Sequence, residues 1–152
     1  MKTFKLFLVL CIGLSFAQCK TMKLTDKAPF KISGATYHSW VGGQPGVKGT
    51  NLIIGLENDS NIEYSEVYFQ NKKSIPSFET RKGKRYLVIN INNSSNDSDK
   101  IIKEVKSTNK EKTSKIPFVL SNNEAVIGYI YNGKTFYYKV SKIKKTETIF
   151  YP

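Results

Sequence analysis

The sequence predicts an all-β domain, and three observations carry that prediction. From Phe30 onward, short runs rich in β-branched and aromatic residues recur at close spacing. Gly, Asn, Asp and Pro separate those runs, and none of them keeps a helical apolar period for three turns. About eight such strands over 30–152 predict a single antiparallel β-sandwich of immunoglobulin-like type, with a small closed barrel as second choice.

"FKISGATYHSWV", 30–41, is a strand in which Gly34 marks a bulge. Phe30 and Ile32 share one parity before it; Tyr37, Ser39 and Val41 share one after it. "GGQPGVKG", 42–49, is a loop by its glycines and Pro45, and the apolar centre of "TNLIIGL", 50–56, predicts a strand buried on both faces. After the turn "ENDSN", "IEYSEVYFQNKK", 62–73, alternates as one strand. Beyond Pro76, "SFETRKGKRYLVININ", 77–92, predicts a hairpin about Lys82 and Gly83. "NNSSNDSDK" is a polar loop, and in "IIKEVKSTNKEKTSK", 101–115, Ile101, Ile102 and Val105 fit a helical turn or an edge strand equally. "IPFVL" and "EAVIGYIY" then predict strands, Asn132-Gly133 is the strongest two-residue turn signal, and "TFYYKVSKI" and "TETIFY" close the sheet. The aromatic run Phe136 to Val140 reads as core and cross-strand packing rather than as a platform.

The front of the chain has a different character. Lys2 and Lys5 precede an apolar run from Leu6 to Phe16, the layout of a secretory signal peptide and too short to span a bilayer. Residues 1–18 are therefore expected to be removed on export, and Cys11 with them. Two cuts compete. Ser15 and Ala17 satisfy the small-x-small rule for a cut before Gln18, whereas a lipoprotein cut before Cys19 gives that cysteine a role. Cys19 would be the one cysteine of the mature chain, with no partner for an intramolecular disulfide. Acylation explains it, because each buried methylene contributes about 0.8 kcal/mol and several chains on one residue anchor a domain durably. The expected organisation is a signal peptide over 1–18, a lipidated N-terminus and polar tether over 19–29, and the β domain over 30–152. The implied location is an outer-membrane or periplasm-associated lipoprotein, or else a soluble periplasmic or secreted protein.

Lysine and arginine number 24 against 12 acids; without Lys2 and Lys5 the balance is 22 against 12, about +10. An exported protein meets lipid head groups and acidic polysaccharide rather than nucleic acid, and the lysines are scattered rather than gathered on one periodic face. A basic, solvated surface follows, with an anionic envelope component or a protein as partner.

Chemistry is thinly represented. His38 is the only histidine, and neighbours on a strand point to opposite faces, so Tyr37, Ser39 and Trp40 cannot build a triad with it by adjacency. Glu57 with Asp59, and Asp97 with Asp99, lack the ligand series of a calcium loop, and no metal or cofactor is expected. "GGQPGVKG" lacks the ending of a phosphate loop. No catalytic residues are assigned. The candidate binding surface is Tyr37, His38, Trp40, Gln44 and Lys48 at one loop end, where aromatic faces stack on sugars or peptides; the competing reading places Trp40 in the core. Two further readings stay open. One is a small hydrolase using a pair of acids, with Glu57, Glu63, Glu66 and Glu79 available, alone or together with His38. The other is an assembly component pairing through a sheet edge near Lys142 to Lys145.

The segments "VYFQNKK" at 67–73 and "IPFVLSNNEAVIGYIYNGKTFYYKVSKI" at 116–143, the loop after "YHSWVGG" and the terminal "YP" together resemble a group of small, functionally uncharacterised bacterial exported proteins and lipoproteins. The resemblance implies export and a single β domain. It carries over no site residues.

Overall fold

Two stacked sheets account for every regular element of residues 22–93 and 116–152, which are the residues described by a computed structural model. The elements are β1 (Leu24–Thr25), β2 (Lys31–Val41), β3 (Lys48–Glu57), β4 (Glu63–Phe69), β5 (Lys72–Ser74), β6 (Ser77–Arg81), β7 (Lys84–Asn92), β8 (Ala125–Tyr131), β9 (Lys134–Val140), β10 (Lys144–Lys145) and β11 (Ile149–Phe150). One sheet runs β1-β9-β8-β4-β5, the other β10-β2-β3-β7-β6 with β11 also on β2. The longer strands pair antiparallel in the orders β2-β3-β7-β6 and β9-β8-β4-β5, which are the A-B-E-D and G-F-C-C′ orders of an immunoglobulin-like sandwich. The expected sandwich is the fold, and the sheets do not close into a barrel. The sheets are mixed rather than purely antiparallel, because β1, β10 and β11, two residues each, pair parallel.

Alternation explains the core. Leu52, Ile54 and Leu56 of β3 and Leu87, Ile89 and Ile91 of β7 meet Val67 and Phe69 of β4 and Ala125, Ile127 and Tyr129 of β8. Each large apolar side chain so buried contributes about 1.5–3 kcal/mol. Phe30, just ahead of β2, plugs one end with rings of Tyr64, Tyr129 and Tyr138 edge-on at 5.1–5.7 Å.

The bulge expected at Gly34 is present as a register shift between Ile32 and Gly34, and the Lys82-Gly83 and Asn132-Gly133 hairpins form as expected. Three expectations fail. "IEYSEVYFQNKK" is not one strand: Gln70 and Asn71 take φ of 47° and 60° and fold β4 back onto β5. "IPFVL" is not a strand, since Pro117 has no N–H to give a ladder; the segment instead crosses the outer face of the first sheet. "TETIFY" is a broken strap along the β2 edge. Residues 101–115, left between helix and strand, lie outside the described residues, as do Cys19 and the loop with Asp97 and Asp99. The described part of the expected tether is already attached to the domain, for Leu24 and Thr25 pair with Tyr137 and Tyr138.

Candidate functional site

The bulge at Gly34 sets which way the end of β2 faces. Ala35 and Tyr37 turn inward, so Thr36, His38 and Trp40 face out from the second sheet. Tyr37 therefore leaves the expected binding surface. It is buried, with its ring edge-on to Phe69 at 5.2 Å. Trp40 is not in the core either. It is half-buried outside the sheet, and its indole lies across Gly49: a Cβ there would stand 2.5 Å from the ring and 2.5 Å from the Ile91 carbonyl oxygen. Tyr151 borders the same ring edge-on at 6.3 Å, held by its N–H to the Val41 carbonyl at 2.9 Å.

Two rows of residues cross this outer face. His38, Asn51 and Asn90 are register partners on β2, β3 and β7, and Trp40, Gly49 and Asn92 form the adjacent row. Asn51 Nδ2 donates to His38 Nε2 at 3.4 Å, while Asn90 and Asn92 are exposed. At the sheet edge Lys144, partner of Thr36, adds an exposed ammonium. His38 and Trp40 are thus brought together. Gln44 is exposed in the loop, where its carbonyl accepts from Val47 N–H at 3.2 Å, and Lys48 is exposed at the sheet end on the parity opposite to Gly49. Neither joins Trp40 on its face. The residues that do join it, Asn51, Asn90 and Tyr151, were not expected, although the alternation in "ININ" (89–92) signals isoleucines inward and asparagines outward.

The outer face of the first sheet holds a different constellation. A second bulge, between Tyr64 and Glu66, brings Glu66 outward opposite Gly128. Glu66 Oε1 accepts from Tyr68 Oη at 2.9 Å and Tyr137 Oη at 3.0 Å, and its Oε2 pairs with Lys73 Nζ. The Glu66 side chain is only 14% exposed. Burial works against its charge, yet the bonds from Lys73, Tyr68 and Tyr137 outweigh burial and hold the carboxyl below its ordinary range. Burial first, and the Glu66 bond second, push the Tyr137 phenol up to about 12 and raise Tyr68 as well. Gly128 makes the space: a Cβ there would lie 2.7 Å from Glu66 Cγ. Phe118, from the crossing segment, covers the cluster with its ring 5.1 Å from Tyr68 and 5.5 Å from Tyr137.

Glu57, Glu63, Glu79 and Asp59 stand apart from Glu66. Glu57 and Glu63 are exposed at strand ends, Glu79 pairs with Arg81 on β6, and Asp59 pairs with Arg85 at 2.9 Å. The Asp59 carboxylate is thereby committed to a guanidinium. Among the described residues no group of three His, Cys, Asp or Glu side chains converges as a metal site, and no helix is long and apolar enough to cross a membrane. The edge near Lys142 to Lys145 is partly used by the chain itself, as Lys144 and Lys145 pair with β2. No family model, curated protein or solved structure matches the chain.

Proposed function

We propose that the chain is a non-catalytic cell-envelope protein, exported and held by lipid on Cys19, whose second sheet binds an anionic glycan on its outer face. One observation carries the reading: the half-buried Trp40 indole packed against Gly49 outside the sheet, beside the row His38, Asn51 and Asn90. An aromatic face stacks on the C–H face of a sugar ring, and amides supply both donors and acceptors for its hydroxyls. The excess of 22 basic over 12 acidic residues in the processed chain draws an acidic polymer. Dispersal of Glu57, Glu63, Glu66 and Glu79 over two sheets and strand ends favours binding over glycoside cleavage, which needs two acids across one bond.

Retention on immobilised acidic envelope polysaccharide is expected to fall with rising salt, because exposed charges are screened within about 8–10 Å at ordinary ionic strength. Trp40→Ala is expected to weaken it at every salt concentration. Absence of binding at low salt, or binding indifferent to Trp40→Ala, overturns the glycan reading; selective capture of head groups or of a protein replaces it. For the anchor, radioactive palmitate is expected to mark the protein and Cys19→Ala to abolish the mark. A soluble, unlabelled product beginning at Gln18 overturns it.

A further inference from the structure

We infer that the domain rests on the bilayer through a patch made by β1 and the crossing segment, with Met22, Leu24 and Val119 at the lipid surface. The inference rests on the Cys19 anchor. Met22, Lys23 and Leu24 line one open groove with Pro117, Phe118 and Val119. This groove gathers three of the exposed large apolar side chains, Met22 and Leu24 at 37% and Val119 at 99%. Val119 is held out by its neighbour, since Phe118 is packed on Tyr68 and Tyr137.

Chain length names the occupant. Leu24 is fixed to β9 opposite Tyr137, and four residues lie between it and Cys19, so the five Cα–Cα steps reach at most about 18 Å. The domain is larger than that reach, for the eleven residues of β2 alone extend about 36 Å. A lipid on Cys19 therefore keeps the β1 edge close to the head groups and the far end of the domain away from them. That edge is where the apolar groove lies, with the exposed Lys23 between its two apolar neighbours to meet lipid phosphate. The neighbouring face suits the position too. Glu66, the acid on that face beside Tyr137, is compensated by the Lys73 ammonium and hydrogen-bonded by two phenols, so it presents no uncompensated negative charge to an anionic leaflet. The orientation leaves the Trp40 face, on the other sheet, directed away from the lipid.

The test uses the lipidated full-length protein in vesicles of phosphatidylethanolamine and phosphatidylglycerol. Acylation consumes the Cys19 thiol, so Val119→Cys provides a unique labelling site for an environment-sensitive fluorophore. Lys82→Cys, at the β6–β7 turn on the far edge of the other sheet, is the reference. Both positions are exposed and tolerate replacement. The expected result is blue-shifted emission at 119, lost on adding lipid-borne quencher, against unshifted and unquenched emission at 82. A palmitate-labelled protein whose two probes respond alike, or whose 82 probe alone is quenched, overturns the orientation and leaves the anchor standing. A protein that takes up no palmitate overturns both.

Discussion

The two outer faces of the sandwich are built by the same strand alternation, yet one is closed and the other open. On the first sheet Glu66 receives bonds from Tyr68, Tyr137 and Lys73, and Phe118 lies over the phenols. On the second, His38 has a weak bond to Asn51, and Asn90 is exposed. A carboxylate with its donors in place has little capacity left for a ligand, whereas exposed amides keep both donors and acceptors. The closed face thus stiffens the sheet and supports Val119, while the open face is the one on which the proposed glycan binding depends. What separates them is how far the polar groups satisfy one another, since both carry aromatic rings and lysines.

Both faces also depend on a glycine, and the sharpest way to break the comparison is to fill each one. At Gly49 a methyl would meet the Ile91 carbonyl oxygen and the Trp40 ring, both at 2.5 Å. The carbonyl cannot retreat without opening the β3–β7 pairing, so Gly49→Ala is expected to cost about 2–4 kcal/mol and to displace Trp40. At Gly128 the nearest atom is the flexible Glu66 Cγ at 2.7 Å, and Gly128→Ala is expected to cost less, about 1–2 kcal/mol. Urea unfolding of the pair checks the order. Equal costs would show that the β3–β7 backbone yields as readily as a side chain.

Next in size is the closed network. Glu66→Ala leaves the phenols of Tyr68 and Tyr137 without their acceptor on a covered face, at an expected cost of about 1–3 kcal/mol. Glu66→Gln, which keeps an acceptor oxygen, is expected to cost less. The pH dependence has a definite sign. The folded carboxyl titrates below its ordinary value of about 4.3, so its stabilisation is complete above that pH and is lost as pH falls through the depressed value. Tyr137, raised to about 12, acts in the opposite sense: its stabilisation is complete below about pH 10 and is lost as pH rises through 12. The stability gap between wild type and Glu66→Gln should therefore close on acidification below about pH 4. A gap unchanged down to pH 2 would mean that charge on Glu66 is not what holds the network.

Much of the open face was legible, because period-two alternation with one bulge residue is a local signal. Gly34, the Asn132-Gly133 turn and the isoleucine–asparagine alternation of β7 can all be read along one strand. The bulge also fixes parity, so Tyr37 falls on the inward side and His38 on the outer face. For Trp40 the sequence leaves two readings, a loop-end surface and the core that a lone tryptophan usually fills, and Gly49 on the next strand decides between them by offering a shelf outside the sheet. The closed network was not legible. It joins Glu66 to Tyr137, 71 residues away, across a bulge with no glycine of its own, and to Phe118 in a segment whose composition mimics a strand. Long-range pairing of this kind leaves no periodic trace.

The smallest effect separates the faces most cleanly. His38 lies within β2, half-buried, and among the described residues its hydrogen bond is the one to Asn51. Removing it leaves only the Asn51 amide to be rehydrated on an open surface, so His38→Ala is expected to change stability by no more than about 0.5 kcal/mol. Its effect belongs to binding: loss of one ligand-facing hydrogen bond is expected to weaken glycan retention by about three- to tenfold, equivalent to roughly 0.5–1.5 kcal/mol. Unfolding curves and affinity profiles on the same variant read the two quantities separately. A stability loss as large as that of Glu66→Ala would show that the second face is structural like the first. Unchanged stability with unchanged affinity would remove His38 from the proposed glycan site.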